Sequence, residues 1–439
     1  MPVELTAAHT LQNRTVHRAI LQNGMTVLMV ENPAADIIAA RIFVRAGGRY
    51  EPLAQSGLSH LLAAVITKGT DRLTSQEIAE RIETVGASLG ADAAADYCLM
   101  SLKTVSSDFP EILELAAELL RSPSFPEMEV ELERRLTLQG IRSMQEQPFS
   151  IANAQLRQAM YQQHPYAQTS LGTEETVAQL TQADLKQYHQ TYFRPDNIVI
   201  SIAGRIPAEA AIALVDRVFG DWQSPQQPDG TVLPLPELQL PSINSKPHWV
   251  VTPQETQQAI VMLGYLASAI HDEDHLVLKL INTYLGSGLS SRLFVELREK
   301  RGLAYEVSAF YPTRIDTSHF VAYIGTAADN AAVALDGLRL EVDRLRSVEL
   351  SIDELQAAKN KLLGQYALGK QTNAQIAQIF GWYETLGLGI DFDERFQQLI
   401  PAITTADIQQ VANRHFTQPY ISLVGSEAAI DLVKDRKEM

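Results

Sequence analysis

The chain repeats itself. Thr181-Gln-Ala-Asp184-Leu185 is followed by Tyr192-Phe193 and an apolar, strand-like run ending at Gly204. Thr404-Thr-Ala-Asp407-Ile408 is followed by His415-Phe416 and a similar run from Ile421 to Gly425. The offset from Thr181 to Thr404 is 223 residues, about half of a 439-residue chain. A period that long is one domain duplicated, not a stack of short repeats. Each copy must therefore close a core within roughly 200 residues, an ordinary domain size. Six prolines fall between Pro225 and Pro247. Proline removes backbone donors and restricts its neighbour, so this stretch reads as a linker. The expected division is an N-terminal domain at residues 1–224, a linker at 225–247 and a C-terminal domain at 248–439.

Within each copy, strand and helix signals are mixed. Met25 to Val30 and Ile37 to Val44 read as strands, and Ser88 to Val105 as extended. Helices are expected from about Ser56, from Ser75, over Glu111 to Leu120, over Glu127 to Glu146 and over Asp184 to Tyr192. In the second copy Ala259 to Tyr265 reads as a strand, and His275 to Leu285 and Ser351 to Tyr366 as helices. This order predicts an α+β fold with helices packed on one face of each sheet.

Composition removes several function classes. Aspartate and glutamate outnumber lysine and arginine 52 to 36, for a net charge of −16. A nucleic-acid binder needs a basic surface to displace counterions, so none is expected as a partner. The balance is compatible with basic peptides as ligands, and equally with acidity that serves solubility alone. No apolar run approaches the ~20 residues that span a bilayer, and Met1 to Ile20 has no apolar signal core, which leads us to expect a cytoplasmic protein. Cys98 is the only cysteine, so neither a disulfide framework nor a thiolate zinc site is available. Its run, Asp96-Tyr-Cys98-Leu-Met-Ser101, reads as a buried strand.

Gly47-Gly48-Arg49-Tyr50-Glu51-Pro52, then Ser56-Gly57-Leu58-Ser59-His60, then Lys68-Gly69-Thr70, resembles the pitrilysin and mitochondrial processing peptidase family, the inverted zincins. His164-Pro165-Tyr166 with Gly172-Thr173, Phe193-x-Pro195-x-Asn197, Ala203-Gly204, Gly286 to Phe294 and Arg298 to Tyr305 extend the resemblance over nearly the whole chain. It implies two homologous, mostly antiparallel domains of the processing-peptidase type. The family's catalytic helix carries His-x-x-Glu-His. Its histidines share one helix face and hold zinc, and its glutamate takes a proton from zinc-bound water. A distant glutamate is the third ligand. Here His60 matches the first histidine, but Ala63 replaces the base, Ala64 the second histidine and Gly140 the distal glutamate. One imidazole cannot hold catalytic zinc in a three-ligand site. No metal and no cofactor is therefore expected in this chain. The strand that binds substrate in active relatives reads Gly90-Ala91-Asp92-Ala93 here.

The second half is different. Arg298 and Tyr305 match an arginine and a tyrosine that in this family reach a zinc site in the other half or the other subunit. Arginine offers a rigid donor fork to a peptide carbonyl, and a tyrosine hydroxyl can donate to a developing oxyanion. The resemblance implies a non-catalytic, substrate-binding subunit supplying Arg298 and Tyr305 to a homologous partner that carries zinc on an intact His-x-x-Glu-His. The alternatives are a zinc-less scaffold protein, as in respiratory assemblies, and a self-sufficient peptidase, which the three replacements oppose. His271-Asp272-Glu273-Asp274-His275 offers a second pair of histidines four residues apart, without further ligands nearby in sequence.

Overall fold

The computed structural model describes residues 5–11, 14–243 and 245–434. It resolves into two compact units. The first is built on strands β1 (Leu5–Leu11), β2 (Arg14–Ile20), β3 (Thr26–Glu31), β4 (Ile37–Val44), β5 (Ser88–Ala93), β6 (Cys98–Val105) and β7 (Ile198–Gly204). The second is built on β8 (Trp249–Pro253), β9 (Gln258–Ala267), β10 (Glu306–Phe310), β11 (Ser318–Ala327) and β12 (Tyr420–Gly425).

The duplication is visible in the strand order. The second sheet runs β10-β11-β9-β12-β8, and the first runs β5-β6-β4-β7-β3 with β2 and β1 added beyond β3. Position for position the pairings agree. Only β3 with β7, and β8 with β12, are parallel, and the remaining pairs are antiparallel. The repeated Thr-x-x-Asp motif caps the helix before the last strand in both copies. The Thr181 and Thr404 backbone N–H groups donate to Asp184 and Asp407 at 2.8 and 2.7 Å, closing a capping box each time. The extended stretch from Ser88 to Val105 is a hairpin, folded back at a tight turn where Ala94 N–H donates to Tyr97 C=O.

In the first unit, alternate residues of the sheet (Ile38, Ala40, Ile42 and Val44 of β4, Ile198, Ile200 and Ile202 of β7) pack with the Leu58–Val65, Phe109–Arg121 and Ala208–Phe219 helices into one apolar core. Cys98 lies in this core, buried, its thiol pKa pushed up by desolvation. The opposite face of the sheet is covered by the helix Asn373–Thr385, which comes from late in the chain. Asn373 donates to Ile37 C=O at 2.8 Å, Arg18 pairs with Glu384 at 2.7 Å, and Arg45 donates to Thr385 C=O at 3.2 Å.

The second unit mirrors this. Tyr265 of β9 packs on Phe416, while on the other face its neighbour Gly264 accommodates Leu156 of the Pro148–Tyr161 helix, contributed by the first half of the chain. Gln155 and Tyr161 fasten that helix through Thr252 Oγ1 at 2.6 Å and Thr317 C=O at 3.0 Å. The compact units therefore do not coincide with residues 1–224 and 248–439. Arg142–Gln168 belongs with the second unit and Ala367–Glu394 with the first, and the chain passes between them within the proline-rich stretch, at Gln239–Leu240.

Gly381 shows how tightly the late helix sits. A Cβ there would stand 2.4 Å from Phe43 Cε2 and 2.8 Å from Ser201 Cβ. Gly381→Ala is expected to destabilise the first unit by about 1–3 kcal/mol, because neither the ring nor the strand can withdraw. Chemical denaturation of the variant checks this, and an unchanged midpoint would contradict the close docking.

Candidate functional site

The helix that carries His60 is positioned by what precedes it. Gly57 takes a left-handed backbone at φ +96°, and a Cβ there would lie 2.5 Å from Leu171 C=O, so a side chain is excluded on both counts. The Glu51 carboxylate is buried at the helix start. It accepts the Gly57 and Ser59 backbone N–H groups at 2.8 and 2.6 Å and the Ser59 hydroxyl. These are donors that a helix N-terminus otherwise leaves unsatisfied. Burial raises the Glu51 pKa, and the Ser59 and Gly57 bonds oppose the rise. Glu51→Ala leaves buried amides unpaired and should cost about 1–3 kcal/mol, measurable as a lower urea midpoint of unchanged slope. The sequence contains this cap, but an acid seven residues ahead of a helix becomes legible only once the intervening turn is known.

His60 is half-buried on the Leu58–Val65 helix, Ala63 is buried one turn on, and Ala64 is half-buried. Desolvation lowers the His60 pKa, opposed by the negative charges of Asp92 on β5 and Glu133 on the Glu127–Glu146 helix. Glu133 is already engaged, 3.1 Å from Lys68. Gly140 stands two turns after Glu133 on the same side of that helix. A Cβ at Gly140 would meet nothing closer than Leu171 Cδ1 at 3.9 Å, so the glycine is not required there by packing. Among the described residues no three His, Cys, Asp or Glu side chains are grouped so as to hold a metal ion. The residues present do not fit zinc. Gly90 lies on β5, the edge strand that pairs only with β6.

The acid-flanked histidine pair lies in two different environments. His271 is exposed, ahead of the helix that begins at His275. His275 is buried with Nδ1 3.0 Å from the Tyr311 hydroxyl. Asp274 is taken up by Arg414 at 2.7 Å and His415 at 2.8 Å.

Arg298 and Tyr305 present the opposite picture. The segment carrying Arg298, Phe294–Glu299, is a widened π-type turn rather than a regular α-helix, with Lys300 N–H reaching back five residues to Val295 C=O at 3.0 Å. Such widened turns recur at functional sites. Gly302, at φ +63°, ends the turn by donating to Arg298 C=O, and Tyr305 N–H is tied to Gly325 C=O on β11 at 2.8 Å. The backbone is thus pinned at both ends while the side chains are left exposed. The Arg298 guanidinium rests 5.0 Å from the Phe294 ring centroid, and among the described residues no carboxylate pairs with it. Tyr305 is 58% exposed, and its hydroxyl has no hydrogen-bond partner among the described residues. The nearby Arg292 is instead fully engaged, at 2.7 Å from Glu341 and 3.1 Å from Glu296, and holds the turn in place. In the sequence Arg292 and Phe294 fall within the Gly286 to Phe294 motif, but nothing in their spacing separates a support from a ligand-facing group.

Two family profiles cover most of the chain. The one described as Insulinase (Peptidase family M16) matches residues 26–174, and the one described as Peptidase M16 inactive domain matches residues 179–362. The chain is 28% identical over 406 residues to an uncharacterized zinc protease, YmxG, of Bacillus subtilis, covering 92% of this chain and 97% of that protein. It is 27% identical to the uncharacterized zinc protease SCO5738 of Streptomyces coelicolor, with 94% and 90% covered. Among solved structures, a peptidase M16 inactive domain from Pseudomonas fluorescens superimposes with a TM-score of 0.85 at 25% identity, over 94% of this chain and 98% of that one. A protease from Helicobacter pylori superimposes with a TM-score of 0.84 at 22% identity, over 93% and 98%.

Proposed function

Because the chain belongs to the M16 peptidase family, we propose that it is the non-catalytic, substrate-binding subunit of a two-chain zinc peptidase, supplying Arg298 and Tyr305 to the zinc site of a homologous partner. One contrast carries the reading. The base and two ligands of the metal set are replaced by Ala63, Ala64 and Gly140, whereas Arg298 and Tyr305 are held on a pinned backbone with their polar groups exposed and uncommitted. Both side chains are exposed, with no acid taking up the guanidinium and no partner on the phenol among the described residues, so both are available to a bound peptide. Their chemistry suits peptide cleavage, in which the guanidinium fork holds a substrate carbonyl and the phenol donates to the oxyanion formed on attack.

On this reading the chain binds no zinc of its own and cleaves no peptide alone. Mixing it with an M16 chain that carries an intact His-x-x-Glu-His should restore cleavage of a fluorogenic peptide, with zinc assayed in each chain before mixing. Stoichiometric zinc in this chain, or a partner equally active without it, would overturn the proposal. Tight association with no gain in cleavage would favour the scaffold reading instead.

A further inference from the structure

Arg41 in the first unit also stands without an acid among the described residues. Arg41 lies on β4 between Ala40 and Ile42, which face the main core, so it projects to the side covered by the Asn373–Thr385 helix. It is half-buried. Its Nη1 donates to Ala40 C=O at 3.0 Å and Leu102 C=O at 3.4 Å, and among the described residues it forms no ion pair. Charges removed from water are normally paired, and here the groups that meet the charge are carbonyls alone. Burial alone, with no carboxylate opposing it, pulls the guanidinium pKa below its ordinary value.

Arg41 lines an open surface pocket of about 470 Å³ together with Tyr97, Gln375, Gln378, Ile379 and Trp382. That is the size range of small-ligand sites. The walls are mostly apolar, and the only charged group in the lining is the Arg41 guanidinium. Gln375 Oε1 is taken by the Thr372 N–H and hydroxyl at 3.0 and 3.1 Å, which leaves its amide N–H₂ for a ligand. With Nη1 committed to carbonyls, Nε and Nη2 of Arg41 remain as the fork that matches a carboxylate in two-point fashion. One cation suits one negative charge, and an indole with an isoleucine beside it suits an apolar body rather than a phosphate or a polyanion.

We propose that this pocket is a second binding site, which takes a carboxylate borne on an apolar body, as the C-terminal residue of a peptide ending in leucine presents it. The site lies on β4 and the late helix. It does not depend on Arg298, on Tyr305 or on a partner, so the two proposals fail separately.

Calorimetric titration of the full chain, without partner, with an acetylated tetrapeptide ending in leucine tests it, using the free acid and the C-terminal amide. The free acid should bind, the amide at least tenfold more weakly, and added salt should weaken the acid alone. R41Q should lose at least tenfold, R41K should recover part of it, and Trp382→Phe should abolish any change in tryptophan fluorescence on binding. Equal binding of acid and amide by the unmodified chain overturns the proposal whatever the variants do. So does unchanged affinity of a folded R41Q chain. Octanoate is the control for the source of the carboxylate. If it binds with Arg41 dependence while the peptide acid does not, the peptide assignment is wrong.

Discussion

Tyr305→Phe, in a complex with a zinc-bearing M16 partner, is expected to lower kcat for peptide cleavage by about 10²–10³-fold and leave KM nearly unchanged. The phenol would donate only when the carbonyl oxygen gains charge, and loss of one such donor typically costs that much. Arg298→Ala should act differently. A guanidinium that holds an uncommitted substrate carbonyl works in the ground state as well, so its loss should raise KM. Hydrogen bonds to charged groups contribute about 1.5–3 kcal/mol, or roughly 10–150-fold in kcat/KM. Neither change should disturb folding, because both side chains are exposed and make no hydrogen bond or ion pair within the described residues. Steady-state kinetics with unchanged circular dichroism and partner affinity are the required readout. If both variants support full activity, Arg298 and Tyr305 are ordinary surface residues and the trans assignment is lost.

Mild acid should destabilise the protein, and the second unit more than the first. His189 in the first unit is buried, with Nε2 2.8 Å from Leu120 C=O, and burial holds its pKa down to about 4. In the second unit His275 is held down to about 3 by burial and by the charge of Lys279. The Tyr311 hydroxyl donates to Ser268 C=O at 2.6 Å, so it must accept from His275 Nδ1–H, and His275 Nε2 is left buried without a partner. A proton arriving there would find no acceptor. His319 is shifted in the same direction, chiefly by burial, with Arg157 and Arg314 adding to it. An unfolded histidine titrates near pH 6.5. Between that value and the lowered folded ones, the unfolded chain binds protons that the folded chain refuses. The contribution is therefore complete above pH 6.5 and is lost as pH falls. At pH 5 the loss is about 2 kcal/mol for His189 and about 2 kcal/mol for His275. Urea unfolding at pH 7.5 and pH 5 should show a lower midpoint in acid, with the second unit unfolding first. Equal midpoints at the two pH values would show that these histidines stay hydrated.

Much of this molecule could be read from the chain. The Thr181 and Thr404 motifs fixed the duplication, since a threonine and an aspartate three residues apart can satisfy the same helix start wherever they occur. The alternating β-branched runs located the strands, and the absence of a base and two ligands at 63, 64 and 140 is a matter of residue identity that no fold can reverse. What the chain could not state is which sheet each amphipathic helix covers. Apolar periodicity marks a face to be buried and says nothing of its partner, so the crossing of Pro148–Tyr161 to the second sheet and of Asn373–Thr385 to the first is a tertiary outcome. It is set by the fit of Leu156 over Gly264 and of Gly381 over Phe43. The same holds for the free cations. Arg292, Arg298 and Arg41 are one residue type in sequence. Only the fold pairs Arg292 with Glu341 and leaves the other two without an acid, because ion pairing depends on distances that close after the core has packed.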